Sequence, residues 1–152
     1  MTEDELAKKL ESENITLSPL TKRFFAHIID DVVIAFFAFF AFSDMFEAVA
    51  GQDISVSLSL TQTLMPYIIV MKVVYQAFFV WMYGATVGKM AMKIRIISLA
   101  DGQKPNMLFS FTRSNMRIIS ETVLFLGFLW ALKDTKKQTW EDIAARTLVV
   151  NA

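Results

Sequence analysis

The sequence predicts an all-α membrane protein with three membrane helices, the third of them short, and a small cytoplasmic β-hairpin or strand element. The 152 residues are 55% hydrophobic and include 14 Phe and 9 Met. Two apolar runs, within residues 19–46 and 64–83, each reach the roughly 20 residues that a helix needs to cross a bilayer. Basic residues concentrate after the second run, which is the distribution expected of a cytoplasmic loop.

The first helix is predicted over about residues 19–46, after a polar cytoplasmic leader of residues 1–18. Ser18 and Pro19 are the residue types preferred at a helix N-cap and at the first helical position. The leader is acidic and polar rather than basic and then apolar, so we expect no cleavable signal peptide. Residues 19–150 then form one membrane domain.

Charged residues at the inner end of the first helix are the main candidate site. Arg23, His27 and Asp30 have i, i+4 and i+7 spacing, and Asp31 follows His27 by four residues, so all four share or border one helix face. An acidic pair about two turns inside a membrane helix is costly and by default marks a functional or pairing site. The alternative is that the aspartates cap the core helix of a soluble protein. The apolar character of this helix on every side argues against that alternative.

The second helix, over about residues 64–83, carries Lys72 near mid-depth. The preceding residues 43–63 contain no Lys or Arg, and their polar part, Gly51–Thr63, is predicted to be a loop. Residues 84–117 contain six basic residues and a single acidic one. The positive-inside rule therefore places the N-terminus and residues 84–117 in the cytoplasm and residues 43–63 outside.

The third helix is predicted over about residues 113–132, where the apolar run is too short to span a bilayer comfortably. Both flanks are basic, so a full crossing and a re-entrant segment both remain open. Lys93–Leu99 has β-branched strand character and is followed by an Asp-Gly turn, and Thr147–Val150 is a second strand. The two strands can pair only on one side of the membrane, which favours a cytoplasmic C-terminus.

The rise per residue of a helix places several charges at similar depths. Asp31 lies about 12 Å from the inner surface, Lys72 about 16 Å, and Glu121, four residues after Arg117, about 6 Å. We therefore expect Lys72 to pair with Asp30, Asp31 or Glu121, because pairing removes much of the penalty for carrying these charges inside a membrane.

Three segments together resemble the RDD family of small bacterial membrane proteins, which is named for an arginine and two aspartates. They are the first helix with Arg23, Asp30 and Asp31, the segment GATVGKMAMKIRIISLADG at 84–102, and the segment QTWEDIAARTLVV at 138–150. The positions that carry the family motifs in this chain are Gly84, Thr86, Gly88, Lys89, Arg113, Gln138, Thr139, Asp142 and Thr147.

The resemblance covers about residues 18–150 and implies an integral protein of the bacterial cytoplasmic (inner) membrane, with a transport role as the usual suggestion. Asp30 is the first of the eponymous aspartates, and either Asp142 or Asp31 is the second. The chain departs from the family pattern at Arg146, where members usually have Gly. Lys72 is not part of the family pattern.

Composition and motif spacing exclude several classes of function. The net charge is zero, which gives no electrostatic basis for binding nucleic acid, and the absence of Cys with a single His excludes thiolate and multi-histidine metal sites. Gly84–Lys89 is not a phosphate loop, because only three residues separate its glycines and Met90 follows the Lys. We therefore expect neither enzymatic activity nor a cofactor.

Two functions fit the remaining signals. The first is a subunit of a proton- or cation-coupled transport assembly, and the alternative is a non-catalytic assembly or adaptor subunit whose buried charges fix helix packing. Three helices enclose little volume, so besides the lipid bilayer we expect a homo-oligomer or a membrane partner protein. The buried-charge cluster proposed for either role comprises Arg23, His27, Asp30, Asp31, Lys72 and Glu121.

Overall fold

The protein is seen here in a computed structural model that describes residues 5, 8, 11, 12, 14–123, 129–134 and 137–152. The described part is mostly helical with one two-stranded antiparallel sheet, which confirms that part of the predicted fold class. The elements in chain order are α1 (Leu20–Ala41), α2 (Ser43–Val49), α3 (Ile54–Tyr83), α4 (Val87–Ala91), β1 (Ile94–Ser98), α5 (Met107–Thr122), α6 (Trp140–Ala144) and β2 (Thr147–Asn151).

Among the described residues, α1 and α3 are long and apolar enough to cross a membrane. At the rise of a standard helix they are about 33 Å and about 45 Å long, against a hydrocarbon layer of roughly 30 Å. Only 22% of the most apolar part of α1 and 17% of that of α3 is buried inside the molecule. Most of their apolar surface therefore does not form a core within this chain.

The first helix buries two charged residues against the protein and exposes mainly apolar side chains. Its exposed face carries large rings, including Phe36 and Phe40. Lipid as the surrounding solvent favours this arrangement, which is the reverse of the pattern on a helix of a soluble protein. The buried stripe runs along α1 through Arg23, Ala26, Asp30, Ile34 and Ala38.

Most of Gly51–Thr63 is helical, so the prediction of a loop there was wrong. Helix α3 begins at Ile54 rather than at residue 64. The hydroxyl of Thr61 donates to the backbone carbonyl of Ser57 at 3.0 Å, and similar bonds occur along this stretch. Because the hydroxyls are satisfied within the helix itself, the Ser- and Thr-rich composition did not require a loop.

The sheet joins the two strands predicted from the sequence. In its antiparallel register Ile96 lies opposite Val149. The other edge of β2 is contacted by the leader, since Leu17 forms a bridge with Val150 and the Ser18 N–H donates to the Val149 carbonyl at 3.0 Å. The C-terminal strand thus lies between the N-terminal segment and β1.

An apolar cluster fixes the end of the leader against the sheet. Buried Ile97, Leu148 and Val150 pack with Ile15 and Leu17. The end of the leader is therefore part of the folded unit, although the sequence predicted a polar segment there.

The predicted Asp-Gly turn forms directly after β1. The Gly102 N–H donates to the Ser98 carbonyl at 2.8 Å, and Gly102 has a φ of 71°. Among the described residues, however, β1 pairs with β2 and not with a second strand of a local hairpin.

Like α1, helix α5 exposes apolar side chains and buries charged ones. Its exposed face carries Met107, Leu108, Phe111 and Ile119. The third predicted helix, over about residues 113–132, coincides with α5 only as far as Thr122, and residues 124–128 lie outside the described residues. A third membrane crossing therefore stays a prediction. The buried face of α5 consists of Ser110, Arg113, Ser114, Arg117 and Ser120.

The short helix α4 crosses α1 at Gly88. A Cβ added to Gly88 would lie 2.1 Å from the Ala26 carbonyl oxygen and 2.9 Å from Asp30 Oδ1. Only glycine allows this approach, because the first distance is far below van der Waals contact with a backbone atom that cannot move independently. The crossing holds α4 beside the buried stripe of α1.

We expect Gly88→Ala to lower the unfolding free energy in detergent by about 3 kcal/mol or more, because the added methyl forces α4 away from α1. Thermal unfolding followed by circular dichroism measures the change. Gly51→Ala is the control: its Cβ would meet no atom within 4 Å, although Gly51 has a φ of 81°. That control costs only about 1 kcal/mol of backbone strain, so equal losses in the two variants would contradict the close approach.

Candidate functional site

Among the described residues, most of the buried charges belong to three networks. We call them the Asp142 network, the Asp30 network and the Lys72 network, each after the residue at its centre. Arg117 contacts both of the last two. Arg23, Asp30 and Asp31 of α1 thus belong to three different networks, although helical periodicity predicts a single cluster.

The Asp142 network joins two guanidinium groups to one carboxylate. Arg23 Nη1 lies 3.1 Å from Asp142 Oδ2, and Arg113 Nη1 bonds to Asp142 Oδ1. Arg113 also donates to the Thr147 hydroxyl at 2.7 Å, and the Thr139 N–H donates to Asp142 Oδ2 at 3.1 Å. Asp142 is fully buried, so these donors replace water as its hydrogen-bond partners.

The same network ties α1 to the C-terminal strand. Arg23 Nη2 donates to the backbone carbonyl of Val149 at 3.0 Å. Gln138 Nε2 donates to the carbonyl of Thr147 at 2.9 Å, which fixes the start of β2. Thr139 and Asp142 form the capping box of α6. The start of this helix therefore fixes the position of the Asp142 carboxylate.

Asp142 is held in its charged form. Burial by itself favours the neutral acid, but the positive charges of Arg113 and Arg23 hold the pKa of Asp142 below its ordinary value. Two charge-assisted bonds to one buried carboxylate give the network high geometric specificity.

The Asp30 network fixes the Gly-x-Thr-x-Gly-Lys segment. Asp30 Oδ1 accepts hydrogen bonds from the Tyr75 hydroxyl at 2.9 Å and from the Gly88 N–H at 2.8 Å. Asp30 Oδ2 accepts one from the Thr86 hydroxyl at 2.6 Å, and Arg117 Nη1 lies 3.8 Å from it. Asp30 is 1% exposed, and both of its oxygens are occupied.

The remaining motif residues support this arrangement. Thr86 is the N-cap of α4, and its hydroxyl accepts a bond from the Lys89 N–H at 3.4 Å. Gly84 ends α3 in the left-handed region with a φ of 72°. Burial, together with the positive charges of Arg113 and Arg117, lowers the pKa of the Lys89 ammonium to about 7. The motif is therefore a helix connection that binds a carboxylate of α1.

The Lys72 network lies closer to the surface. Lys72 Nζ is 3.0 Å from Asp31 Oδ1 and 3.0 Å from Glu121 Oε2. Arg117 Nε donates to Glu121 Oε1 at 2.9 Å. The side chains of Lys72, Asp31 and Glu121 are 24%, 47% and 17% exposed. In contrast to the other two networks, this one opens onto the outer surface of the helices.

A narrow crevice reaches the Lys72 network. It is lined by Ile34, Lys72, Tyr75, Gln76, Arg117 and Ile118 and is too narrow to admit a water molecule. His27 lies half-buried on α1, one turn before Asp31. Among the described residues, no group of three or more acidic, His or Cys side chains is placed to hold a metal ion.

Two residues that the sequence analysis did not include in the cluster contact its carboxylates. Tyr75 donates to Asp30, and Arg117 joins Asp30 to Glu121. Their spacing contained a signal: Tyr75 follows Lys72 by three residues, and Arg117 precedes Glu121 by four, so each shares a helix face with a predicted residue.

Comparison with known proteins gives one family and several relatives. The sequence profile of the RDD family matches residues 17–146. A proline-rich antigen homolog of Mycobacterium tuberculosis is 32% identical over 81 residues, which are 49% of this chain and 34% of that protein. The proline-rich antigen of Mycobacterium leprae is 34% identical over 73 residues, 43% of this chain and 29% of that protein. The matches thus span about a third of the length of these relatives. No solved structure matches the chain.

The ion pairs of Lys72 predict a specific pattern of coupling energies. We expect Lys72→Met to destabilise the protein in detergent, and Glu121→Gln or Asp31→Asn to recover part of that loss, with coupling of about 0.5–3 kcal/mol in each double-mutant cycle. The coupling to Glu121 is the larger, because Glu121 is the less exposed of the two partners.

Asp30→Asn is the control in this experiment, because Asp30 bonds to Tyr75, Thr86 and Gly88. We expect it to destabilise the protein by itself but to couple weakly with Lys72→Met. Additive losses for both Asp31 and Glu121 would show that Lys72 does not pair with them.

Proposed function

This chain belongs to the RDD family, and we propose that it is an integral membrane subunit of a proton- or cation-coupled transport assembly. The observation that carries the proposal is the Lys72 network, in which two carboxylates surround one positive charge at the surface of apolar helices. The proposal assigns the chain no catalytic activity and no cofactor.

The three networks differ in how accessible they are. Asp30 and Asp142 are 1% and 0% exposed, and hydrogen bonds from several donors occupy each of them. Asp31 is half exposed on a helix that otherwise presents apolar side chains. A charge kept at such a position is costly unless it has a function or a partner.

The geometry of the Lys72 network suits cation exchange. Asp31 and Glu121 each place one oxygen 3.0 Å from Lys72 Nζ, so both carboxylates are arranged around one positive centre. A proton on either carboxylate, or a small cation between them, competes with the ammonium group for the same oxygens. Lys72 thus acts as an internal counter-ion that leaves when the cation binds.

A complete pathway requires more than this chain. The crevice beside Lys72 does not admit water, and the chain supplies two helices of spanning length within its described part. A second copy or a membrane partner protein therefore has to cover the Asp31 side and to provide the remaining walls of the path.

A second function is favoured by a different observation. The carboxylate oxygens of Asp30 and Asp142 all accept hydrogen bonds, and their networks connect α1, α3, α4, α5, α6 and β2. Buried carboxylates bonded in this way fix helix packing rather than move ions. The alternative is therefore a non-catalytic assembly or adaptor subunit, in which the Lys72 network is one more packing device.

We further propose that the sheet lies on the cytoplasmic side of the inner membrane, with the N-terminus on the same side. The contacts of β2 with both β1 and the leader require all three segments to share one side. Residues 84–117 carry six basic residues, while residues 43–63 carry none, which supports the cytoplasmic assignment.

A single-cysteine experiment tests this orientation, because the chain has no native Cys. In intact cells we expect a membrane-impermeant maleimide to label exposed Gln52→Cys but neither Ala100→Cys nor Ala152→Cys. Permeabilised cells provide the control, since all three variants should then be labelled. Labelling of Ala100→Cys without permeabilisation would reverse the proposed orientation.

Ion movement tests the transport proposal. In inverted membrane vesicles from bacterial cells that express the chain, we expect a cation gradient to drive proton movement, measured with a pH-sensitive dye. Asp31→Asn and Glu121→Gln each reduce the rate about tenfold, because a hydrogen bond to a charged group contributes roughly 1.5–3 kcal/mol to cation binding.

The control variant is Asp44→Asn, which removes an exposed carboxylate at the opposite end of the helices. It should leave the rate unchanged. Wild-type vesicles that match vesicles without the chain, or carboxylate variants that match the wild type, would exclude cation-coupled transport and leave the assembly role.

A further inference from the structure

An apolar groove runs along the outer surface between α3 and α5. It has a volume of about 290 Å³, and its walls are Val74, Ala77, Phe78, Trp81, Met107 and Phe111. The four α3 residues have i, i+3, i+4 and i+7 spacing, so they form one stripe about 10 Å long. Most of these side chains are exposed, so the described residues of this chain leave the groove open.

A second cavity, of about 230 Å³, lies at the sheet end of α3. Two exposed cationic side chains, Arg95 and Lys104, line it together with backbone of the Gly102 turn. Asp101, the acidic residue of that turn, is not among its walls, and Asp101 Oδ1 accepts a hydrogen bond from the Gln103 N–H at 3.1 Å. The cavity is therefore suited to a negatively charged group.

The groove and the cavity both reach the last turn of α3. Trp81 and Met107 belong to the groove, while Tyr83 and Lys104 belong to the cavity. Lys104 Nζ donates at 3.2 Å to the carbonyl of Met82, the residue between Trp81 and Tyr83. A flexible ligand with an apolar tail and an anionic head can therefore reach both spaces around this turn.

The position along α3 matches the level of lipid headgroups. Trp81 and Tyr83 lie in the last turn of an apolar helix, where aromatic side chains are typical of the membrane–water interface. The groove extends from there towards the middle of the helix, in the direction that an acyl chain takes from its headgroup. The cationic cavity lies on the opposite side of this level, beside the sheet.

From this arrangement we infer that the chain binds an anionic phospholipid, with an acyl chain in the groove and the phosphate against Arg95 and Lys104. Two features favour this occupant: the cationic cavity complements a phosphate group, and α3 is long and apolar enough to lie in a bilayer, where phospholipids are abundant. This inference is independent of the proposed transport function.

Fluorescence quenching of Trp81 by brominated lipids tests the inference. The chain has 3 Trp, so Trp130→Phe with Trp140→Phe leaves Trp81 as the single reporter. The protein is reconstituted in phosphatidylcholine vesicles that contain either brominated phosphatidylglycerol or brominated phosphatidylcholine at the same low mole fraction. We expect phosphatidylglycerol to quench Trp81 more strongly.

The preference for the anionic lipid should depend on the two cavity residues. Arg95→Gln and Lys104→Gln each lower the ratio of the two lipid affinities about fivefold, the effect of one basic residue near an anionic membrane surface. The matched control is the pair Lys93→Gln and Lys133→Gln, which removes the same total charge from exposed residues outside the cavity. That pair should keep the preference.

Three outcomes would overturn the inference: equal quenching by the two lipids, an equal loss of preference in the control pair, or no quenching by either lipid. The last outcome would mean that protein covers the groove. Native mass spectrometry gives a second readout on the otherwise unaltered chain, in case the Trp variants do not fold. Phosphatidylglycerol retained by the wild type should be lost from Arg95→Gln/Lys104→Gln, and equal retention would contradict the site.

Discussion

The packing of the helices against the sheet depends on the ion pairs that the Asp142 carboxylate forms with Arg23 and Arg113. This carboxylate joins the start of α1 to α5 and to the cap of α6. Through Arg23 it also reaches the backbone of β2. Each of these buried charges would be costly without its partners, and separating β2 from the helices would break the bonds that Arg23 and Arg113 donate to it.

Networks of this kind specify geometry more than they add stability. Replacing a whole buried network with apolar side chains is often nearly neutral, whereas removing one member leaves an unpaired charge and costs roughly 3–5 kcal/mol. The lowered pKa of Asp142 keeps its stabilising charge present above the ordinary pKa of the group, and this contribution is lost only as the pH falls through the lowered value. The pKa of Lys89, at about 7, lies instead within the physiological range.

The carboxylates of the three networks differ in how far they are buried and bonded. In the Asp30 and Asp142 networks, hydrogen bonds occupy every carboxylate oxygen, and the networks position α4 and the sheet. In the Lys72 network, a carboxylate remains half exposed on an apolar surface. An exposed apolar groove also lies between α3 and α5 beside Trp81, and a cationic cavity lies at the end of α3. The proposed occupants of these two exposed features are a membrane partner at Asp31 and a lipid at Trp81.

Local composition and periodicity were sufficient to predict several features of the fold. The apolar length of α1 and α3, the β-branched strands and the family motifs are properties of contiguous residues, and they predicted two membrane-type helices, the strand pairing and the family. Local composition also misled at Gly51–Thr63, because it does not show that the hydroxyls bond back to helix carbonyls.

Which charges pair with one another depends on how distant segments of the chain pack. Periodicity places Arg23, Asp30 and Asp31 near one face of α1, but it does not show what lies opposite each of them. Arg23 meets Asp142, which is 119 residues away in the sequence, and Asp30 faces the crossing of α4. Asp31 is rotated by about 100° from Asp30 around the helix and therefore meets Lys72 of α3 instead. The direction of a side chain is a local property, whereas its partner depends on how distant segments pack.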